Sequence, residues 1–288
     1  MIAEINKTID MNANLIVDDD GHPTGYKPVT EEQMAAYEAE AQKVVAEANA
    51  MRANHKHPTY DDWSQEVNRR MRVYNATMRI NRLELLKSQL AVNLIPATVK
   101  TDQALQDKTS NDYIDECKRQ AGIMEVAASP SMWTGKAVAK VVMAQTNSAT
   151  FSQRLWANQD ALKARLDQVI STGVVQGQGS AKMARRLKSQ LKDTVVNQRY
   201  VTERIARTET ARVQFRAQID SIKNNGYRFV QWFAEPRACA DCSAIAHDNN
   251  GFGEGVYETS KVPEIPVHPN CRCAISETWI DGQENLTK

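Results

Sequence analysis

The chain has 288 residues, enough for one large domain or two of ordinary size. Its 36 basic side chains nearly cancel its 35 acidic ones, so bulk charge gives no argument for nucleic acid or an anionic membrane. No apolar run approaches the roughly 20 residues needed to span a bilayer, and the first residues mix Glu4, Lys7 and Asp10 among apolar ones, unlike a signal peptide. The expectation is a protein made and kept in cytoplasm.

Charge is unevenly distributed along the chain. Residues 1–50 carry ten acids and three lysines, a balance of −7, whereas residues 180–219 carry ten bases and three acids, a balance of +7. Such asymmetry points to distinct partners, one of them a polyanion. Residues 1–29 lack a helical period and hold Asp18-Asp19-Asp20-Gly21-His22-Pro23-Thr24-Gly25, a run of turn formers that predicts a hairpin between Asn14–Val17 and Tyr26–Lys27 within an extended arm. His22 reads as a solvated turn residue.

Thr30-Glu31-Glu32-Gln33 is a capping-box signature and opens an alanine- and glutamate-rich helix to about Asn54. A second helix is expected from Thr59–Asp62 to about Leu90, with Trp63, Val67, Met71, Tyr74 and Met78 along one face. His55 and His57 read as exposed residues near a helix end. Pro96 predicts a break in Val92–Val99, followed by a helix around Ser110–Met124 that places Cys117 on a buried side as a small apolar residue.

Ser129-Pro130-Ser131 marks a subdomain boundary. Thr150-Phe151-Ser152-Gln153 is a second capping box, and the helix it opens carries Leu155, Leu162, Leu166 and Val169 and ends at Gly173. Gly177–Ser180 forms a loop before a helix with Met183, Leu187, Leu191 and Val195 at intervals of four. These glycines do not make a phosphate loop, because the lysine before a serine or threonine and the preceding strand are both missing. A further long helix runs from about Gln198 to Asn224-Asn225-Gly226, and Tyr227–Phe233 alternates as a strand.

Four of the five cysteines lie after this strand, as Cys239-x2-Cys242 and Cys271-x-Cys273, with His268 three residues before the second pair. Two close pairs of soft ligands separated by a loop are what a tetrahedral zinc site requires. The expected site is structural zinc on Cys239, Cys242, Cys271 and Cys273, with His268 competing with Cys271 for a position. Four protein ligands leave no open position for water, and the chain has no H-x-E with which to build a zinc deaminase. On the helix ahead, Glu203 to Arg207 and Glu209 to Arg212 sit at neighbour spacing. Arg207 and Glu209 read as structural anchors for the small domain, while Lys182, Arg185, Arg186, Lys188, Lys192 and Arg199 read as a surface for DNA phosphates without sequence preference.

At Ile205-Ala206-Arg207-Thr208-Glu209, the strand through Trp232, Cys239-x-x-Cys242 and His268-Pro269-Asn270-Cys271-Arg272-Cys273, the sequence resembles the minor head or head morphogenesis proteins of tailed bacteriophages, including the F-like proteins of Mu-type phages. Phe151-Ser152-x-Arg154-Leu155-Trp156 and the loop and helix of Gly177–Leu187 add to it, so the resemblance covers about residues 130–280. It implies a virion protein of few copies near the portal vertex, not an enzyme. Expected partners are the portal protein, the major capsid or scaffold protein and double-stranded DNA, with roles in head assembly and in DNA packaging or ejection, and no membrane. The alternative is a metal-dependent nucleic-acid enzyme or toxin-like effector that uses the cysteine cluster as scaffold, with His247-Asp248-Asn249 a faint echo of a nuclease array.

The expected fold is mainly α with a small α+β, zinc-stapled C-terminal domain. Its expected divisions are an arm (1–29), a helical N-terminal region (30–128), a helical body (129–226) and a Cys/His domain (227–288).

Overall fold

A reciprocal capping pair opens the first long helix of the computed structural model, which describes residues 15–21, 23–53, 62–126, 134–146, 148–176, 178 and 180–287. The Gln33 amide donates to the Thr30 hydroxyl at 3.3 Å, and the Thr30 amide donates to the Gln33 side chain at 3.1 Å. His22, His55, His57, the Ser129–Ser131 break, Gly177 and Gly179 lie outside the described residues.

The chain divides into two units, residues 1–103 with 152–199 and residues 104–151 with 200–288. In the first, β1 (Leu15–Val17) and β2 (Pro23–Tyr26) form the expected hairpin, with the second strand starting three residues earlier than anticipated. Its Asp18–Gly21 turn is held by the Asp20 amide on the Asp18 carboxylate at 3.1 Å.

Helix α1 (Glu31–Ala53) buries Tyr37, Ala41, Val44 and Ala48, a stripe at steps of four, three and four. It packs on α2 (Asp62–Thr77), whose Val67, Met71 and Tyr74 continue into buried Met78. Each of these larger side chains contributes about 1.5–3 kcal/mol by leaving water. The expected single helix to Leu90 is instead divided. Asn81 caps a new helix, accepting from the Glu84 amide at 3.0 Å, so the chain turns at 78–80.

Helix α3 (Arg82–Ile123) contains Pro96 in its interior, contrary to the expected break. Proline removes one amide donor, yet Ala91, Val92, Ile95 and Val99 around it are almost wholly buried, and this packing outweighs the local cost of about 3 kcal/mol. The segment around Ser110–Met124 is therefore the end of this same helix, with Cys117 buried as anticipated, beside Tyr113 and Ala121. Burial pushes the Cys117 thiol up to about 11. Arg70 in α2 donates to Asp160 of α5 (Phe151–Val175) at 2.7 and 3.1 Å, also pairs with Glu66, and lies 4.5 Å over the Trp156 ring.

In the second unit, α4 (Gly135–Val142) is capped by the Thr134 hydroxyl. Helix α6 (Ser180–Asn224) is continuous through both units, where the sequence pattern had indicated two helices meeting near Gln198. No proline or glycine interrupts residues 180–224, so nothing local terminates it. It ends where Gly226 takes φ +76°, a left-handed geometry in which an added Cβ would also meet the Thr287 carbonyl at 3.3 Å.

An antiparallel sheet follows in the order β4 (Val256–Glu258), β3 (Phe229–Phe233), β5 (Ala274–Thr278), with α7 (Ala240–His247) between β3 and β4. Phe215, Ile219, Ile222, Val230, Trp232, Ile265 and Ile275 form its core together with Cys242, Cys271 and Cys273. The molecule is thus mainly helical with small antiparallel sheets. No helix among the described residues is long and apolar enough to cross a membrane.

Candidate metal centre

Two short elements bring the cysteines together. Cys239 occupies the N-cap position of α7, and its carbonyl accepts from the Ser243 amide at 2.9 Å, so Cys242 follows on the first turn. A tight turn delivers the second pair. The Cys271 amide donates to the His268 carbonyl at 3.1 Å, and Asn270 between them takes φ +65°, a conformation asparagine tolerates better than most residues. Cys273 then precedes β5, whose Ala274 pairs with Phe233.

The sulfur of Cys242 is central. It lies 3.9 Å from the Cys271 sulfur and 3.3 Å from His268 Nε2. Donor atoms of Cys239, Cys242 and His268 all fall within 4.8 Å of one another, as do those of Cys242, Cys271 and Cys273. A tetrahedral ion with metal–sulfur bonds near 2.3 Å requires sulfur–sulfur edges of about 3.8 Å and sulfur–nitrogen edges of about 3.5 Å. The two separations at Cys242 fit, and the two triads, which share Cys242, could hold a metal ion.

Cys242, Cys271 and Cys273 are buried while Cys239 is exposed, so one corner of the cluster faces solvent. Burial, reinforced by the neighbouring thiols, pushes the Cys242 thiol well above its usual range; burial likewise raises Cys273. Metal binding would displace these protons and release them to solvent.

Thr208 ties the turn to α6. Its hydroxyl donates to the Arg204 carbonyl at 2.7 Å and accepts from the Asn270 amide at 3.0 Å. By sequence, Thr208 had no role of its own beyond its place in the Ile205–Glu209 motif.

Of the two expected anchors, only Glu209 is buried, at 1 % exposure. Its carboxylate accepts from Arg212 Nε at 2.7 Å and from the Thr146 hydroxyl at 3.3 Å. Arg212 also donates to the Val141 and Val142 carbonyls at 2.7 and 2.8 Å, closing the end of α4. Arg207 departs from the expectation: it is 44 % exposed and pairs with Glu203 at 3.1 Å. The reason is helical geometry, because residue 212 shares the face of residue 209 and residue 207, two positions away, does not. Gln218, also unanticipated, bridges Glu116 at 2.9 Å and the Ile275 amide at 3.4 Å.

Lys182, Arg185, Lys188, Lys192 and Arg199 are exposed on α6, whereas Arg186 is half-buried and donates to Gln178 at 3.0 Å. Arg185, Lys192 and Arg199 recur every seventh residue, a single stripe with steps of about 10 Å. His247 is exposed and its Nδ1 lies 2.8 Å from the Ser243 carbonyl, while Asn249 accepts from the Gly251 and Gly253 amides. These contacts secure a helix end and a turn.

Residues 164–276 match the family described as Phage Mu protein F like protein. No curated protein and no solved structure matches the chain.

Proposed function

We propose, from a segment 164–276 that belongs to the Mu F-like family, that this chain is a minor head protein of a tailed phage, acting in head morphogenesis. The observation that carries this reading is the extent of the match, which spans α6, β3, β4, the first residues of β5 and all four clustered cysteines. Residues 1–163 lie outside it, and the earlier division of the chain into arm, helical region, body and Cys/His domain is part of the proposal.

In this reading the protein enters the virion at the head interior or portal vertex, binds the portal protein, and meets the major capsid or scaffold protein. The exposed α6 stripe of Arg185, Lys192 and Arg199, with Lys182 and Lys188 beside it, suits contact with the backbone of packaged double-stranded DNA. The role is structural and not enzymatic.

Zinc is the proposed ion, because thiolate-rich donors at tetrahedral spacing favour it. Cys239, Cys242, Cys271, Cys273 and His268 offer five donors for four positions. A centre filled from this set has no open site for substrate, and its work is to staple α7 to the turn before β5.

The test is co-expression with the portal protein encoded by the same phage. A stable complex surviving purification at micromolar concentration is expected. Failure of the purified partners to associate at that concentration would remove the portal assignment.

A further inference from the structure

A cavity of about 420 Å³ opens in the second unit beside the cysteine cluster, walled by α6 and the Cys271–Ala274 segment. Phe215, Ala206, Ala211 and Ala274 give it apolar lining, beside the polar Thr210, Gln214 and Gln218. Three cations stand around it, Lys108, Arg207 and Arg272, and no carboxylate lines it. Lys108 is engaged by Asp112 at 2.7 Å and Arg207 by Glu203 at 3.1 Å, both from outside the lining. Arg272 is exposed and has no ion pair among the described residues. With Asp112 on Lys108 and on the Thr210 hydroxyl at 2.7 Å, and Glu203 on Arg207, the net positive charge of the lining rests on Arg272.

We propose that this cavity docks an acidic peptide segment of a partner protein, seating a carboxylate against Arg272, Lys108 and Arg207 and a neighbouring apolar side chain on Phe215. Guanidinium groups suit this task because their donor fork matches a carboxylate in two parallel hydrogen bonds. The volume is that of a small ligand pocket and accommodates one or two side chains. Nucleic acid is disfavoured, since a duplex backbone is bound by several cations along its phosphates, as the α6 stripe offers, and has no apolar group to set on Phe215. The inference stands apart from the virion reading, because the charge and shape of the cavity select an acidic segment whatever particle the chain enters. A competing use of the same cations is to offset the charge of a metal–thiolate centre at Cys271 and Cys273, and the experiment separates the two.

The probe is a fluorescein-labelled peptide of repeating Glu-Glu-Leu, titrated with the full chain by fluorescence anisotropy, beside a peptide with Gln in place of Glu. Wild-type protein should bind the acidic peptide at about 100 μM or tighter and the neutral one at least about tenfold more weakly. Arg272→Glu and, independently, Lys108→Gln should each weaken acidic-peptide binding, the first by about tenfold or more, with zinc content unchanged. Lys118→Glu, an exposed α3 cation paired with Asp115 away from the cavity, should bind as wild type does. Equal binding by Arg272→Glu, equal binding of the Gln peptide, or stronger competition by duplex DNA than by unlabelled peptide would overturn the proposal. So would loss of zinc from both Arg272→Glu and Lys108→Gln in step with lost binding, which would assign the cations to the metal centre.

Discussion

Arg207 and Arg212 lie on one helix five residues apart and meet opposite environments. Arg212 is 11 % exposed and neutralises a Glu209 carboxylate that is 1 % exposed. Replacing it removes the guanidinium from a buried carboxylate and takes a side-chain donor from the Val141 and Val142 carbonyls, the first of which keeps the Ala144 amide at 3.2 Å. Arg212→Met should therefore lower the unfolding free energy by about 3 kcal/mol, as breaking a buried pair does. Arg207→Ala should change it by less than about 0.5 kcal/mol, since its pair with Glu203 is exposed and screened. Urea unfolding of both variants checks this, and similar losses would contradict the assignment of roles.

Glu116 makes the parallel case for pH. Burial pushes its carboxyl up, but hydrogen bonds from Arg119, Gln120 and Gln218 prevail and hold it below the usual range. A carboxylate depressed in the folded state adds stability above its unfolded pKa, and that stability is lost as pH falls through the folded value. Wild-type protein should lose stability on acidification below about pH 5, and Glu116→Gln should show a shallower loss over the same range. Identical acid slopes would show that Glu116 is not the group responsible. Neither behaviour was legible in the sequence, where Glu116 and Gln218 stand 102 residues apart with no pattern connecting them.

At the scale of elements, the second unit joins a three-stranded sheet to α6 with a short helix and a turn that have little regular structure of their own. The Thr208 hydroxyl ties the turn to α6, and a metal on the cysteine cluster would add the cross-link that a larger core otherwise provides. A bound ion holding four ligands stabilises such a segment by on the order of 10 kcal/mol. Protein purified without a histidine tag should contain about one equivalent of zinc per chain. Chelation should abolish the near-ultraviolet dichroism of Trp232, buried in the core shared with three cysteines, while far-ultraviolet helicity is largely kept. Zinc below about half an equivalent would reject a constitutive site. The stripe of α2 through Val67, Met71 and Tyr74 to Met78 was readable because buried positions on a helix repeat every three or four residues. The continuity of α3 through Pro96 was not, because packing of Ala91, Val92, Ile95 and Val99 decided it against local preference.

Across the whole molecule, the opposed charges of residues 1–50 and 180–219 remain the broadest clue to partners. The α6 stripe predicts duplex binding that weakens steeply with salt and ignores sequence. Changing Arg185 and Lys192 together to glutamate should lower the slope of log affinity against log salt by about two. A mobility shift at several salt concentrations measures it. Binding insensitive to salt would exclude phosphate contact along this helix.

The sequence by itself determined what depends on near neighbours: the Thr30–Gln33 box, the buried stripes, the hairpin turn and the two cysteine pairs with His268 just ahead. Each is set by spacing within a few residues, where backbone geometry alone says which side chains meet. Tertiary structure decided which arginine is buried beside Glu209, that Thr208 holds the Cys271 turn, that Cys239 faces solvent while its companions do not, and that Lys108 and Arg272 flank one cavity. They turn on contacts such as Thr208 with Asn270, Arg212 with Val141 and Lys108 near Arg272, which join residues 60 or more positions apart, and only packing selects among the many distant pairings that local pattern leaves equal.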